Sequence, residues 1–109
     1  MIRSGNLRQG APGDPEAEQV ETLVRGRTAR IERIVSLGQV SPDGCWYDQP
    51  EDEWVLLASG VASLRLEGEE VARRLGPGDW VFLPAGVRHR VDATSTQPPC
   101  VWVAVFFEP

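Results

Sequence analysis

The sequence predicts an all-β fold, an antiparallel barrel or sandwich, on three observations. From Ala29 onward the pattern has a period of two: Ile31, Arg33, Val35 and Leu37 alternate with Arg30, Glu32 and Ile34. Short apolar runs then recur at 29–37, 53–58, 61–66, 71–75, 80–83, 87–91 and 101–107. Turn signals separate them, among them Pro42-Asp43-Gly44, Ser59-Gly60, Glu67-Gly68, Gly76-Pro77-Gly78, Pro84-Ala85-Gly86 and Pro98-Pro99. Short strands at such regular spacing are those of a barrel or sandwich.

The first 27 residues read differently from the rest. Residues 1–13 are rich in glycine and proline, carry no apolar period, and are expected to form an irregular arm. Asp14-Pro15-Glu16 has the composition of a helix start, and Ala17, Val20 and Val24 follow at helical spacing up to Gly26. The expected organisation is an arm and short helix over 1–27 and a barrel over 28–109. In the run 53–58, Glu53, Val55 and Leu57 share one face and Trp54, Leu56 and Ala58 the other. Both faces are apolar except at Glu53, as in a strand covered on both sides.

Composition removes several function classes. The 109-residue chain has 41% hydrophobic and 25% charged residues, values of an ordinary globular domain. Its net charge is -5, and it has no basic stripe, which argues against a nucleic-acid partner. All 11 basic residues are arginine, so neither a Schiff-base lysine nor a P-loop lysine exists. No apolar run is long enough for a membrane span, and Met1–Gly10 lacks the apolar core of a signal peptide, so a cytoplasmic protein is expected. Cys45 and Cys100 lack metal or redox spacing and read as two small buried side chains. Trp46, Trp54, Trp80 and Trp102 read as core or interface side chains.

The most informative stretch is Gly78-Asp79-Trp80-Val81-Phe82-Leu83-Pro84-Ala85-Gly86-Val87-Arg88-His89. Its Gly78, Pro84, Gly86 and His89 stand at the spacing of the second cupin motif, which this segment resembles. Upstream, Gly44, Glu53 and Gly60 match the glycine, glutamate and glycine of the first cupin motif. The histidine pair of that motif falls on Tyr47 and Gln49, and the asparagine that often ends the second motif falls near Ala93. The resemblance covers about residues 35–107. Trp46–Leu57, Ile31–Ser36 and Trp102–Val105 are similar to a set of small bacterial single-domain cupins, which often carry further histidines around Leu37, Gln39 and Phe106. The resemblance implies a cupin-type antiparallel β-barrel, jelly-roll-like, and a homodimer.

It also implies the site. Alternation turns His89 inward with Val87 and Val91, and Arg88 and Arg90 outward. Gln49, Glu53 and His89 are expected to converge in the barrel interior, with Tyr47 at its mouth. A typical cupin metal centre takes three histidines and a glutamate, and this chain has one histidine. The metal candidates are therefore Gln49, Glu53 and His89, sufficient for a weakly bound divalent ion, with no other cofactor implied. The ligand-binding candidates are Tyr47, Gln49, Glu53 and His89, and the catalytic candidates are His89 and Glu53 as an acid/base pair. Two functions follow: a module binding a small polar ligand beside a reduced metal site, or a small enzyme, either a metal-dependent oxygenase or isomerase or a metal-free acid/base catalyst.

Overall fold

The computed structural model describes all 109 residues, and they form eight strands and no helix. The strands are β1 (Gln19–Arg25), β2 (Ala29–Ser36), β3 (Asp52–Ser59), β4 (Ala62–Leu66), β5 (Arg73–Leu75), β6 (Trp80–Leu83), β7 (His89–Thr94) and β8 (Cys100–Phe107). A five-stranded sheet has the order β1-β2-β8-β3-β6 and faces a three-stranded sheet of order β5-β4-β7. Every pairing is antiparallel. Each predicted apolar run from residue 29 onward coincides with a strand, with ends shifted by two or three residues at most.

The predicted helix over 14–24 is absent. Residues 15–17 make a turn, in which the Asp14 side chain accepts the Glu16 N–H at 2.8 Å, and 19–25 form β1. Two physical reasons explain this. A helix of that length is marginal alone, and Val20, Thr22 and Val24 are β-branched, suited to a pleated surface. The edge of β2 supplies backbone partners from Gln19↔Val35 to Arg25↔Arg30, with a bulge at Leu23. So β1 extends the barrel's larger sheet into the segment read as an appendage.

The core lies between the sheets. Val55, Leu57, Leu64, Leu83, Trp102 and Phe106 belong to one buried cluster, with Ala104 and Cys100 fully enclosed. Alternation along β3 is complete: Glu53, Val55, Leu57 and Ser59 are buried, while the residues between them are half-buried on the outer face. The two cysteines part company. Cys100 sits in the core, but Cys45 is exposed, because it follows the Pro42–Gly44 turn in a surface loop rather than a strand. Arg88 and Arg90 point outward as expected, with both guanidiniums over the Trp46 ring, at 5.8 and 6.0 Å. Arg90 also donates to the carbonyls of Ser41, Pro42 and Cys45, tying the 41–45 loop to β7.

Candidate functional site

The interior of the barrel opens on one side into a cavity of about 390 Å³. Its walls are apolar, from Ile34, Val55, Leu64, Leu83, Val91, Trp102 and Phe106, and its polar lining includes Gln49, Glu53 and His89. This is the composition of a small-molecule site: mostly apolar surface with a few converging polar groups.

Glu53 and His89 arrive from opposite sheets. Glu53 points inward from β3, in register with Phe106 of β8 and Leu83 of β6. His89 opens β7, in register with Leu66 of β4. Both are nine-tenths buried, at 8% and 7% exposure, and Glu53 Oε1 lies 3.8 Å from His89 Nε2. The Pro84–Gly86 turn brings His89 to this point. Val87 N–H donates to Pro84 O, Gly86 N–H to Gln49 O, and Ala85 N–H to the Asp52 carboxylate, which lock the turn to the segment leading into β3.

That segment carries the other two candidates. Tyr47 and His89 exchange both backbone hydrogen bonds, at 2.7 and 3.1 Å, and their rings lie 5.8 Å apart. Tyr47 is half exposed at the mouth. Gln49 Nε2 donates to Glu53 Oε1 at 2.8 Å. The structure thus brings Tyr47, Gln49, Glu53 and His89 together on one cavity. The tautomer of the histidine follows from its partner. Nδ1–H donates to the Val87 carbonyl at 3.1 Å, which leaves Nε2 as the acceptor when the ring is neutral.

A cupin-domain family model matches residues 38–106, nearly two-thirds of the chain. The chain is a cupin. A crystal structure of a Ralstonia eutropha JMP134 protein, provisionally named a mannose-6-phosphate isomerase, is 42% identical to this cupin. The match covers 99% of this chain and 100% of that one, with a TM-score of 0.95. TT1209 from Thermus thermophilus is 21% identical over 99% of this chain and 100% of its own, with a TM-score of 0.79. KdgF from Halomonas sp. is 21% identical over 88% of this chain and 83% of its own, with a TM-score of 0.71. At that identity the last two bear on the fold alone. No curated protein matches.

The residues present do not fit the three-histidine, one-glutamate metal centre that this cupin's fold implies. Glu53 and His89 are the only strong ligand groups at the cavity's base, and nowhere do three His, Cys, Asp or Glu side chains cluster closely enough to hold an ion. The positions of the missing histidines belong to Tyr47 and Gln49, a phenol and an amide.

Several lining residues escaped the sequence reading. Glu18, placed on a helix by its pattern, reaches the mouth from the turn before β1 and accepts the Ser36 hydroxyl at 2.9 Å. Ser36 in turn accepts the Trp102 indole N–H at 3.2 Å. Gln39 and Phe106, flagged only as histidine positions in similar cupins, both line the cavity. Inward alternation in β8 was the available signal for Trp102 and Phe106. Nothing local marks Glu18.

The environment of Glu53 sets a pH dependence. Burial holds its carboxyl above the ordinary value, opposed by the Gln49 hydrogen bond and by the charges of His89 and Arg30, and reinforced by Glu32. The folded chain therefore binds this proton more tightly than the unfolded chain. The stability from this group is complete below pH 4.5, the ordinary value, and is lost as pH rises through the raised one. Plotted against pH, the Tm of the wild type should decline relative to Glu53→Gln on going upward from that point. A constant difference between the two curves would contradict the assignment.

Proposed function

We propose that this cupin binds a small polar molecule in its barrel, without a tightly held metal. The observation that supports this best is the open cavity with Glu53 and His89 both buried at its base. Burying a carboxyl and an imidazole costs stability unless something compensates, and here only the Gln49 amide and the Val87 carbonyl make hydrogen bonds to the two groups. Their remaining polar atoms are not sealed in the core but open to the cavity, where a bound ligand can partner them. With Glu53, His89 and the Gln49 amide as donors, a divalent ion is held weakly at most. Element analysis of protein purified without a histidine tag should give well under one metal per chain. A stoichiometric transition metal would replace this reading with a metal-dependent one.

The ligand itself can be sought by thermal shift against polar metabolites. A ligand at 100 times its Kd stabilises by about 2.7 kcal/mol, a shift of well over 5 °C for a domain near this size. Val40 lines the mouth at 51% exposure, so Val40→Trp should narrow the entrance and weaken the shift without unfolding the barrel. If no compound stabilises the wild type, the reading fails.

A second reading rests on the 3.8 Å approach of Glu53 to His89, which suits a metal-free acid/base pair. Isomerisation of a phosphorylated hexose, the activity in the name of the 42% identical relative, fits this cavity less well. No arginine lines it to take a phosphate, and the chain has no lysine.

We also infer that two copies pair through the outer face of the five-stranded sheet. One row of that face runs Val24–Ile31–Val105–Trp54–Phe82 across all five strands, and the next includes Val103, Leu56 and Trp80. Trp80 and Phe82 are 59% and 44% exposed. The N-terminal arm covers only the β1–β2 end, where the Arg33 guanidinium donates to the carbonyls of Leu7, Gln9 and Gly10. With no helix in the chain, the aromatic end of the sheet has no cover of its own. A contiguous apolar patch of this kind usually marks an interface.

A further inference from the structure

The polar atoms facing the cavity are unequal in kind. Glu53 Oε1 accepts from Gln49, which leaves Oε2 free, and the side-chain oxygen Oε1 of Gln49 has no partner. His89 is nine-tenths buried with Nδ1–H committed to Val87, and its Nε2 makes no hydrogen bond. Three lone-pair atoms at the base thus lack donors. At the mouth Glu18 adds a carboxylate. Charged donors are absent and neutral ones few: the Tyr47 and Ser41 hydroxyls line the cavity, Gln39 spends one amide N–H on the Asp14 carbonyl, and no guanidinium lines it. The neighbouring Arg30 spans Glu32 and Glu51 at 2.9 and 2.6 Å and lies 4.2 Å from the Phe106 ring centre.

We propose that the cavity selects a ligand with a primary ammonium head and an apolar body, the head seated on Gln49, Glu53 and His89. An ammonium carries three donors and no acceptor, the complement of an amide oxygen, a carboxylate oxygen and an imidazole nitrogen. The body then lies along Val91, Leu64, Trp102 and Phe106, with Tyr47 at the entrance. Phosphates and carboxylates bring acceptors and negative charge to a base that already has both, and are rejected. This inference rests on the reading that the cavity binds a small ligand, and goes further in naming the head group.

Three probes of one shape separate the two. Benzylamine, benzyl alcohol and benzoate differ only in the head, and at pH 7.5 the amine is a cation and benzoate an anion. Binding is followed by protein NMR shifts, with Tyr47 and the Trp102 indole as reporters of the cavity. The expected result is that benzylamine binds at least tenfold tighter than benzyl alcohol, and that benzoate shows no saturable shift. Glu53→Gln should lose at least tenfold for the amine and less than twofold for the alcohol. Should that variant fail to fold, Gln49→Leu removes another acceptor and should cost the amine about fivefold. If the alcohol or benzoate binds as well as the amine, the head-group inference falls while the cavity remains a ligand site. If benzylamine shifts are scattered over the acidic surface, the inference falls as well. If none of the three moves Tyr47 or Trp102, both readings fall.

Discussion

A Trp54→Glu variant is expected to run as a folded monomer where the wild type runs as a dimer. Trp54 lies within the apolar row, between Val105 and Phe82 in register, with its ring 6.0 Å from that of Trp80. An aromatic of this kind contributes on the order of 2–4 kcal/mol to an interface, and each 1.4 kcal/mol is about a tenfold change in Kd. A carboxylate pressed against the partner's apolar row adds its own desolvation cost. Association should therefore weaken by about two orders of magnitude or more in Kd. The fold should survive, because the core faces of β3, Val55 and Leu57, are untouched. Val71→Glu serves as the control, since Val71 is 76% exposed, outside the five-stranded sheet, and should leave the dimer intact. Sedimentation at tens of micromolar decides. A monomeric wild type, or a dimeric Trp54→Glu, would reject the interface.

The two parts of that apolar face differ in how far the sequence displays them. That Trp54, Leu56 and Ala58 share one face is legible from alternation alone, because strand parity is a local property. The extension of the patch to Phe82 and Val24 is not, because it depends on the register Trp54↔Phe82 and Val24↔Ile31, which many distant contacts set together. The same division runs through the site. His89 and Glu53 are picked out by the resemblance to the two cupin motifs together with strand parity, and both are buried. The cavity between them is a property of two sheets meeting, so Glu18, Val40 and Ser41 on connecting segments carry no local mark of lining it. The same holds for the helix expected over 14–24. Asp14-Pro15-Glu16 is a sound helix start, but the decision between helix and strand for 19–25 was made by the vacant edge of β2. Such tertiary override is the ordinary weakness of propensity. Local spacing is stronger where a turn demands one residue, and Gly60 is the clearest instance.

Gly60→Ala should be the most damaging single-methyl change in the chain. Gly60 ends β3 in a turn with φ of +88°, a conformation that costs a residue with a Cβ roughly 1–2 kcal/mol. An added Cβ would also stand 2.8 Å from Cys100 Cα, Cys100 Sγ and the Pro99 carbonyl oxygen. None of these is the free end of a flexible side chain. Cys100 is fully buried, its Sγ–H donates to the Val61 carbonyl at 3.2 Å, and its backbone begins β8, the strand between β2 and β3. Making room therefore means moving the start of that strand, and overpacking of this kind costs roughly 1–3 kcal/mol more. Together the two terms come to about 3 kcal/mol, a fall in Tm of about 15 °C at this chain length. Gly44→Ala separates them. Gly44 has φ of +74° but nothing within 4 Å of its would-be Cβ, so it incurs only the backbone cost, a fall of roughly 5–10 °C. Equal losses for the two variants would mean that the contact with Cys100 carries no weight, and that the β3–β4 turn yields where this geometry says it cannot.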